Sequence, residues 1–120
     1  MAINIIGGSV SPSTALTLNA QTGTTYTFVL TDANNTLVTA SNASAQTYTI
    51  PPNSSVAYPT GSQINIIQIG VGQVSFAQGS GVTIASTGGT SSAPKLRAQY
   101  SSATAIKVNT DSWYVVGDIS

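Results

Sequence analysis

The chain contains no cysteine, no histidine and no glutamate. Without cysteine there is no disulfide, no thiolate metal site and no thiol redox chemistry, so the compartment stays open. Without histidine a serine or threonine nucleophile lacks its common base, and neither lysine sits in a recognisable nucleophile setting. Charge of both signs is scarce. Lys95, Arg97, Lys107, Asp32, Asp111 and Asp118 make up 5% of the 120 residues and cancel to zero, where an ordinary soluble domain carries about 25%. Three cations cannot build a basic stripe, which argues against nucleic acid as a partner. No polybasic segment is present to hold an anionic membrane, and no apolar run reaches the ~18 residues of a membrane-spanning helix. The opening MAINIIGGSV has no basic flank and too short an apolar stretch for a signal peptide, so synthesis in the cytoplasm is the expectation.

Catalytic constellations are missing too. Asp111 and Asp118 flank one strand and stand roughly 20 Å apart at ~3.3 Å per residue, too far to act as paired carboxylates. The glycine pairs at 7–8 and 88–89 fit neither a phosphate-binding loop nor a dinucleotide fingerprint. The DANN stretch at 32–35 has too few carboxylates for a calcium loop and reads as a turn. The expectation is a protein that is not an enzyme, with no catalytic residue, no cofactor and no metal.

What is present is alternation. In TTYTFVLT, Tyr26, Phe28 and Leu30 fall on one side of an extended chain, and Thr25, Thr27 and Val29 on the other. Similar runs occur at 14–18, 36–40, 46–50, 63–69, 73–77, 82–86, 95–99, 105–109 and 112–116, each bounded by turn residues. About ten short strands at intervals of eight to twelve residues predict an all-β fold, an antiparallel sandwich or barrel of about 8–10 strands. One helical turn is allowed at PNSSVAYP, ended by Pro59. QINIIQI is apolar on both faces, Ile64 and Ile66 one way and Ile67 and Ile69 the other; such a strand is enclosed in the core or pressed against another subunit, and enclosure is the default. Repeated TxT patterns raise an ice-binding face, a glycosylated stalk or a sugar-binding sheet. No fixed period marks a solenoid, and threonine is in any case a good strand former that gives a polar outer face. Trp113, Tyr114, Tyr58 and Tyr100 are candidates for a sugar-stacking platform, against which stands core packing of Trp113 with Val115 on one strand face.

A near-uncharged surface of hydroxyls and amides offers little colloidal repulsion. It suits a subunit that docks among its own copies or on a lattice, where unpaired charge is costly to desolvate. The segment YTIPPNSSVAYPTGSQINIIQIGVGQVSFAQGSGVTIAS, followed by KLRAQYSSATAIKVNTDSWYVVGDIS, resembles a β-rich module of tailed-bacteriophage structural proteins, found in tail fibres and small capsid-associated proteins. The resemblance rests on Ile50-Pro51-Pro52-Asn53, on Pro59 with Gly61, on Gly70 to Val74, on Gly81 to Ile84 and on Trp113 to Asp118. It covers about residues 24–120 and implies a scaffold without catalytic residues.

The resulting division is an extended N-terminal arm over 1–23 and one all-β domain over 24–120. With Met1 opening the sequence and no shaft ahead of it, the resemblance implies a capsid decoration, or cement, protein on the outer capsid surface of a virion. Its expected partners are copies of itself, as a dimer or trimer, and a major capsid protein. The alternatives are a tail-fibre or tail-tip subunit recognising a host glycan and a carbohydrate-binding module outside any virus. Ile3, Ile5 and Ile6 of the arm, and Tyr58 in the Pro-rich loop, are the candidate interface residues, because apolar side chains in loose segments need somewhere to go. The competing reading has residues 3–6 adding an edge strand to their own sheet.

Overall fold

The computed structural model describes residues 15–87 and 91–120. The candidate interface residues Ile3, Ile5 and Ile6 lie outside the described residues. Nine strands follow in order: β1 (Thr17–Gln21), β2 (Thr25–Thr27), β3 (Thr36–Ala40), β4 (Gln46–Ile50), β5 (Gln63–Gln68), β6 (Val74–Gln78), β7 (Thr83–Ser86), β8 (Ser102–Asn109) and β9 (Ser112–Gly117). A 3-10 turn, Leu30–Asp32, follows β2. The helical turn allowed in the Pro-rich loop is a single turn held by the Ser55 and Val56 amides on the Pro52 carbonyl.

The β-rich expectation holds, but the pairing departs from it. Five of the seven strand pairs are parallel and two are antiparallel. The strands form a six-stranded sheet in the order β1-β3-β5-β8-β9-β7 and a three-stranded sheet in the order β2-β4-β6. Successive strands from β1 to β7 therefore alternate between the two sheets, and the chain winds as a flattened coil. Parallel neighbours cannot be joined by a tight hairpin; here, from β1 to β6, each connection between parallel neighbours is made by crossing to the opposite sheet and back. The coil lengths are unequal. Thr17 pairs with Thr36 and Leu37 with Asn65 in one sheet, offsets of 19 and 28 residues, while Thr25 pairs with Thr47 and Gln46 with Val74 in the other, offsets of 22 and 28. That inequality is why no fixed period was visible and why a winding architecture was set aside.

The β8–β9 hairpin enters the larger sheet between β5 and β7, antiparallel to β5. Its tight turn places Asp111 at φ 54°, the left-handed region that Asp and Asn tolerate best among non-glycine residues. β1 belongs to the larger sheet, so the part of the proposed arm from Thr17 onward is built into the fold.

Inward side chains from both sheets share one core. Val38, Ile64, Ile66, Ala103, Ala105, Trp113, Val115 and Ile84 of the larger sheet meet Phe28, Tyr48, Ile50, Val74 and Phe76 from the smaller side, all buried. Tyr26, Tyr48 and Phe76 occupy equivalent positions on three successive strands. Phe28 packs beside all three rings at centroid distances of 5.9, 5.7 and 6.3 Å. The two ends of the coil differ. Beyond β6 the smaller sheet continues through Lys95 and Leu96 and then Ile119, joined by antiparallel bridges and by Leu96 N–H to Val74 O and Ser120 N–H to Lys95 O, each 2.9 Å. At the other end, no described strand pairs with the outer edges of β1 and β2.

Candidate docking surface

Alternation fixes which side chains of the six-stranded sheet face out. With Val38, Ile66, Ala105 and Val115 pointing into the core, their neighbours point to solvent. The registers align them in rows: Leu18, Leu37, Asn65, Thr104 and Val116 across five strands, and Gln63, Ile106, Tyr114 and Ala85 across four. A third row holds Ala20, Thr39, Ile67 and Ser102. Leu18 is 66% exposed, Tyr114 52% and Val116 51%, the highest values on the face for residues of this size. Leu37, Ile67 and Ile106 are half-buried by their row neighbours. None of the six ionisable side chains of Lys, Arg or Asp stands in these rows. The Thr104 hydroxyl donates to Asn65 Oδ1 at 2.7 Å, so part of the polar content is already satisfied within the sheet. The outward face of the smaller sheet is different: Thr25, Thr47 and Ser75 form one row, Thr27, Thr49 and Ala77 the next. It is a hydroxyl face, as the strand-forming role of threonine implies.

Five of these six groups are instead tied to structure. Lys107 is 3% exposed, and its Nζ donates to Asn53 Oδ1 at 2.5 Å and to the Tyr58 carbonyl at 2.7 Å. Asp111 Oδ1 accepts the Asn53 amide at 2.6 Å. The Pro-rich loop is thereby clamped onto the β8–β9 hairpin from two sides. Asp32, 1% exposed, accepts Asn19 Nδ2 at 2.7 Å, the Tyr26 hydroxyl at 2.6 Å and the Val29 amide at 2.9 Å. Both its oxygens are occupied by donors. Burial, then the hydrogen bond to Asp32, pushes the Tyr26 hydroxyl up to about 12; burial pushes Tyr48 to about 12 and Tyr58 higher still. On the surface, the Arg97 guanidinium grips Asp118 through two bonds of 2.8 and 2.9 Å, and this bond, followed by that from the Ser101 hydroxyl, lowers the carboxyl to about 2.

The candidate residues separate accordingly. Tyr58 is 2% exposed, its hydroxyl donating to Val29 O at 2.6 Å and its ring edge-on to Trp113 at 5.3 Å; it is a core residue and is not available to a partner. The proposed stacking platform splits, since Tyr58 and Trp113 are buried while Tyr100 and Tyr114 are exposed. Ile64 and Ile66 are enclosed, but Ile67 is half-buried and Ile69 37% exposed, so the second apolar side of that strand faces outward and not into a second core. The signal for the outer face was present in QINIIQI, the strand apolar on both sides; the Lys107–Asn53 clamp had no sequence signal, because its partners are 54 residues apart.

Compared with known proteins, the chain matches no family model, no curated protein and no solved structure. Among the described residues no group of three or more potential metal ligands converges, and no helix is long and apolar enough to cross a membrane.

Proposed function

We propose that this protein is a structural docking module of a virion, a decoration subunit that lays the outer face of its six-stranded sheet on the capsid exterior. The observation that carries the reading is the set of charge-free rows holding Leu18, Ile67, Ile106, Tyr114 and Val116 on one face. The sequence resemblance to tailed-phage modules supplies the kind of assembly. Desolvating such a face leaves no unpaired charge behind, and the Asn65, Thr104 and Ser102 groups supply hydrogen bonds at its centre.

Size decides how the module must act. Six strands at ~4.8 Å and five residues at ~3.3 Å span about 480 Å² of flat sheet, well short of the ~800 Å² that each partner contributes to a stable interface. One copy on one capsid subunit would be weak. Binding as a dimer or trimer, each copy engaging a symmetry-related site, multiplies affinity without new contacts.

The test is binding to capsids from which the protein has been removed, followed by electron microscopy of the reconstituted particles. Wild-type protein should return as regular surface density. A Tyr114→Asp, Val116→Asp variant should retain its circular-dichroism spectrum and fail to decorate. Full decoration by that variant overturns the proposal, as does density located on the tail.

A further inference from the structure

The clamp on the Pro-rich loop is also a set of reactants. Lys107 Nζ stands 2.5 Å from Asn53 Oδ1, so the carboxamide carbon, one C=O bond of ~1.2 Å beyond, lies within ~3.7 Å of the amine. Atoms poised to react are about 3–3.5 Å apart, and a small approach closes the difference. The second Nζ bond, to Tyr58 O at 2.7 Å, fixes the amine against the same loop. Asn53 is held from the other side, its backbone N–H donating to Asp111 Oδ1 at 2.6 Å. Its side-chain nitrogen, Nδ2, donates to no described residue.

Both partners sit on fixed parts of the fold. Lys107 lies in β8, its N–H on Ser62 O at 2.9 Å and its carbonyl accepting Gly61 N–H at 2.7 Å. Asn53 lies in the helical turn that the Ser55 and Val56 amides hold on Pro52 O. The surroundings exclude water. Lys107 is buried beside Trp113, its partner across the β8–β9 hairpin, and the Trp113 ring meets that of Tyr58 edge-on. Lysine becomes a nucleophile toward carbonyl carbon where such walls strip it of solvent. Asn53 is only half-buried, which leaves a departing group a way out.

We infer that Lys107 and Asn53 join covalently in the folded chain, as an intramolecular isopeptide bond. Nζ attacks Asn53 Cγ, and the new Nζ–Cγ bond replaces the Cγ–Nδ2 bond. The Lys107 ammonium gives up two protons; Nδ2 takes both and leaves as an ammonium ion, so atoms and charge balance with no oxidant, reductant or outside reactant. Asp111, the carboxylate in contact with residue 53, is the base through which the protons pass. The bond closes a loop of 54 residues and constrains the unfolded chain as a disulfide would, in a protein that has no cysteine. This inference stands apart from the docking proposal and survives its failure, since its test needs no capsid.

The test is intact-mass spectrometry of the folded, full-length protein, followed by tryptic digestion. Wild type should weigh one ammonia less than its sequence. Trypsin cuts after Lys95 and Arg97 but not after an acylated Lys107, so the peptide bearing Asn53 should emerge joined to the one that runs from Ala98 to Ser120. Lys107→Met, which has no nucleophile, should show the full mass. Asp111→Asn keeps an acceptor for the Asn53 N–H but cannot carry a proton; after refolding from denaturant it should regain the wild-type circular-dichroism spectrum yet link roughly a hundredfold more slowly. Full mass in aged, folded wild type overturns the inference. So does ammonia loss with Lys107 still cleaved by trypsin, the mark of a succinimide at Asn53. Equal linking rates in wild type and Asp111→Asn overturn the part given to Asp111.

Discussion

Lys107 carries the one long basic side chain turned into the core, and it is retained there because two acceptors of the Pro-rich loop, Asn53 Oδ1 and Tyr58 O, depend on it. Leaving buried acceptors unpaired costs about 1–3 kcal/mol each. Lys107→Ala, which also leaves a cavity, should lower stability by about 2–4 kcal/mol, whereas Lys107→Met, which fills the volume, should lose roughly half of that. Equal denaturant midpoints for wild type and Lys107→Ala would show that the loop is held elsewhere. The tyrosines define the alkaline limit. Tyr26 and Tyr48, raised from 10.0 to about 12 by burial first, keep their protons longer when folded. Their contribution is whole below pH ~10 and is lost as pH rises toward about 12. Thermal melts across that interval should show falling midpoints with tyrosinate absorbance rising in step, and Tyr26→Phe should flatten the slope. Asp118 sets the opposite sign: lowered from 3.8 to about 2, it favours the fold above pH ~4 and ceases to do so as pH falls through about 2. Its exposure and screening by salt keep that effect small, and Asp118→Asn should remove it.

The elements show how neighbours in a winding chain hold one another. At one corner the Gly70 to Gly72 turn lies directly on residues 42–44, which occupy the equivalent place one coil earlier. A Cβ added to Gly72 would run into the Ser44 carbonyl, and one added to Gly70 into the Asn42 backbone. Both contacts are backbone against backbone, so no side chain can rotate aside. Gly72→Ala should therefore destabilise by ~3 kcal/mol or more, while Gly23→Ala, where the nearest atom is 3.6 Å away, should stay within about 0.5 kcal/mol of wild type; chemical denaturation compares the two. The same corner explains what sequence reading could and could not reach. TLVTA and QTYTI coincide with β3 and β4 end to end, because period-two alternation depends only on adjacent residues. Which strand lies beside which depends on offsets, and the offset of 28 is masked because the aligned pairs share character and not identity, as in Val38 with Ile66 and Tyr48 with Phe76. Short strands at intervals of eight to twelve residues look the same in an antiparallel sandwich and in a coil, which is why that spacing predicts antiparallel pairing. KLRAQ formed only bridges at Lys95 and Leu96, since beyond them Arg97 turns to Asp118. The outer face was half legible: the one strand apolar on both sides, QINIIQI, announced it, but burial in a second layer was the wrong default for Ile67 and Ile69.

At the scale of the whole molecule, the shortage of charge makes a prediction about the forces of assembly. Six ionisable Lys, Arg and Asp residues in 120, of which Lys107 and Asp32 are enclosed and Arg97 and Asp118 neutralise each other, leave almost nothing for long-range attraction. Electrostatic docking weakens steeply as the screening length contracts to ~3 Å at 1 M salt. Docking through burial of Leu18, Ile106, Tyr114 and Val116 does not, and excluded anions such as sulfate strengthen it. Self-association followed by sedimentation velocity, or co-sedimentation with capsids, should therefore be unchanged within about twofold between 0.1 and 1 M sodium chloride, and should rise in sodium sulfate. A loss of tenfold or more in high chloride would place the interface on Lys95, Arg97 and Asp118, at the closed end of the coil, and would remove the outer sheet face from consideration. Cooling supplies an independent check, because apolar burial weakens toward low temperature while ion pairing does not depend on it; dissociation that increases on chilling at constant salt is the outcome that the sheet face requires.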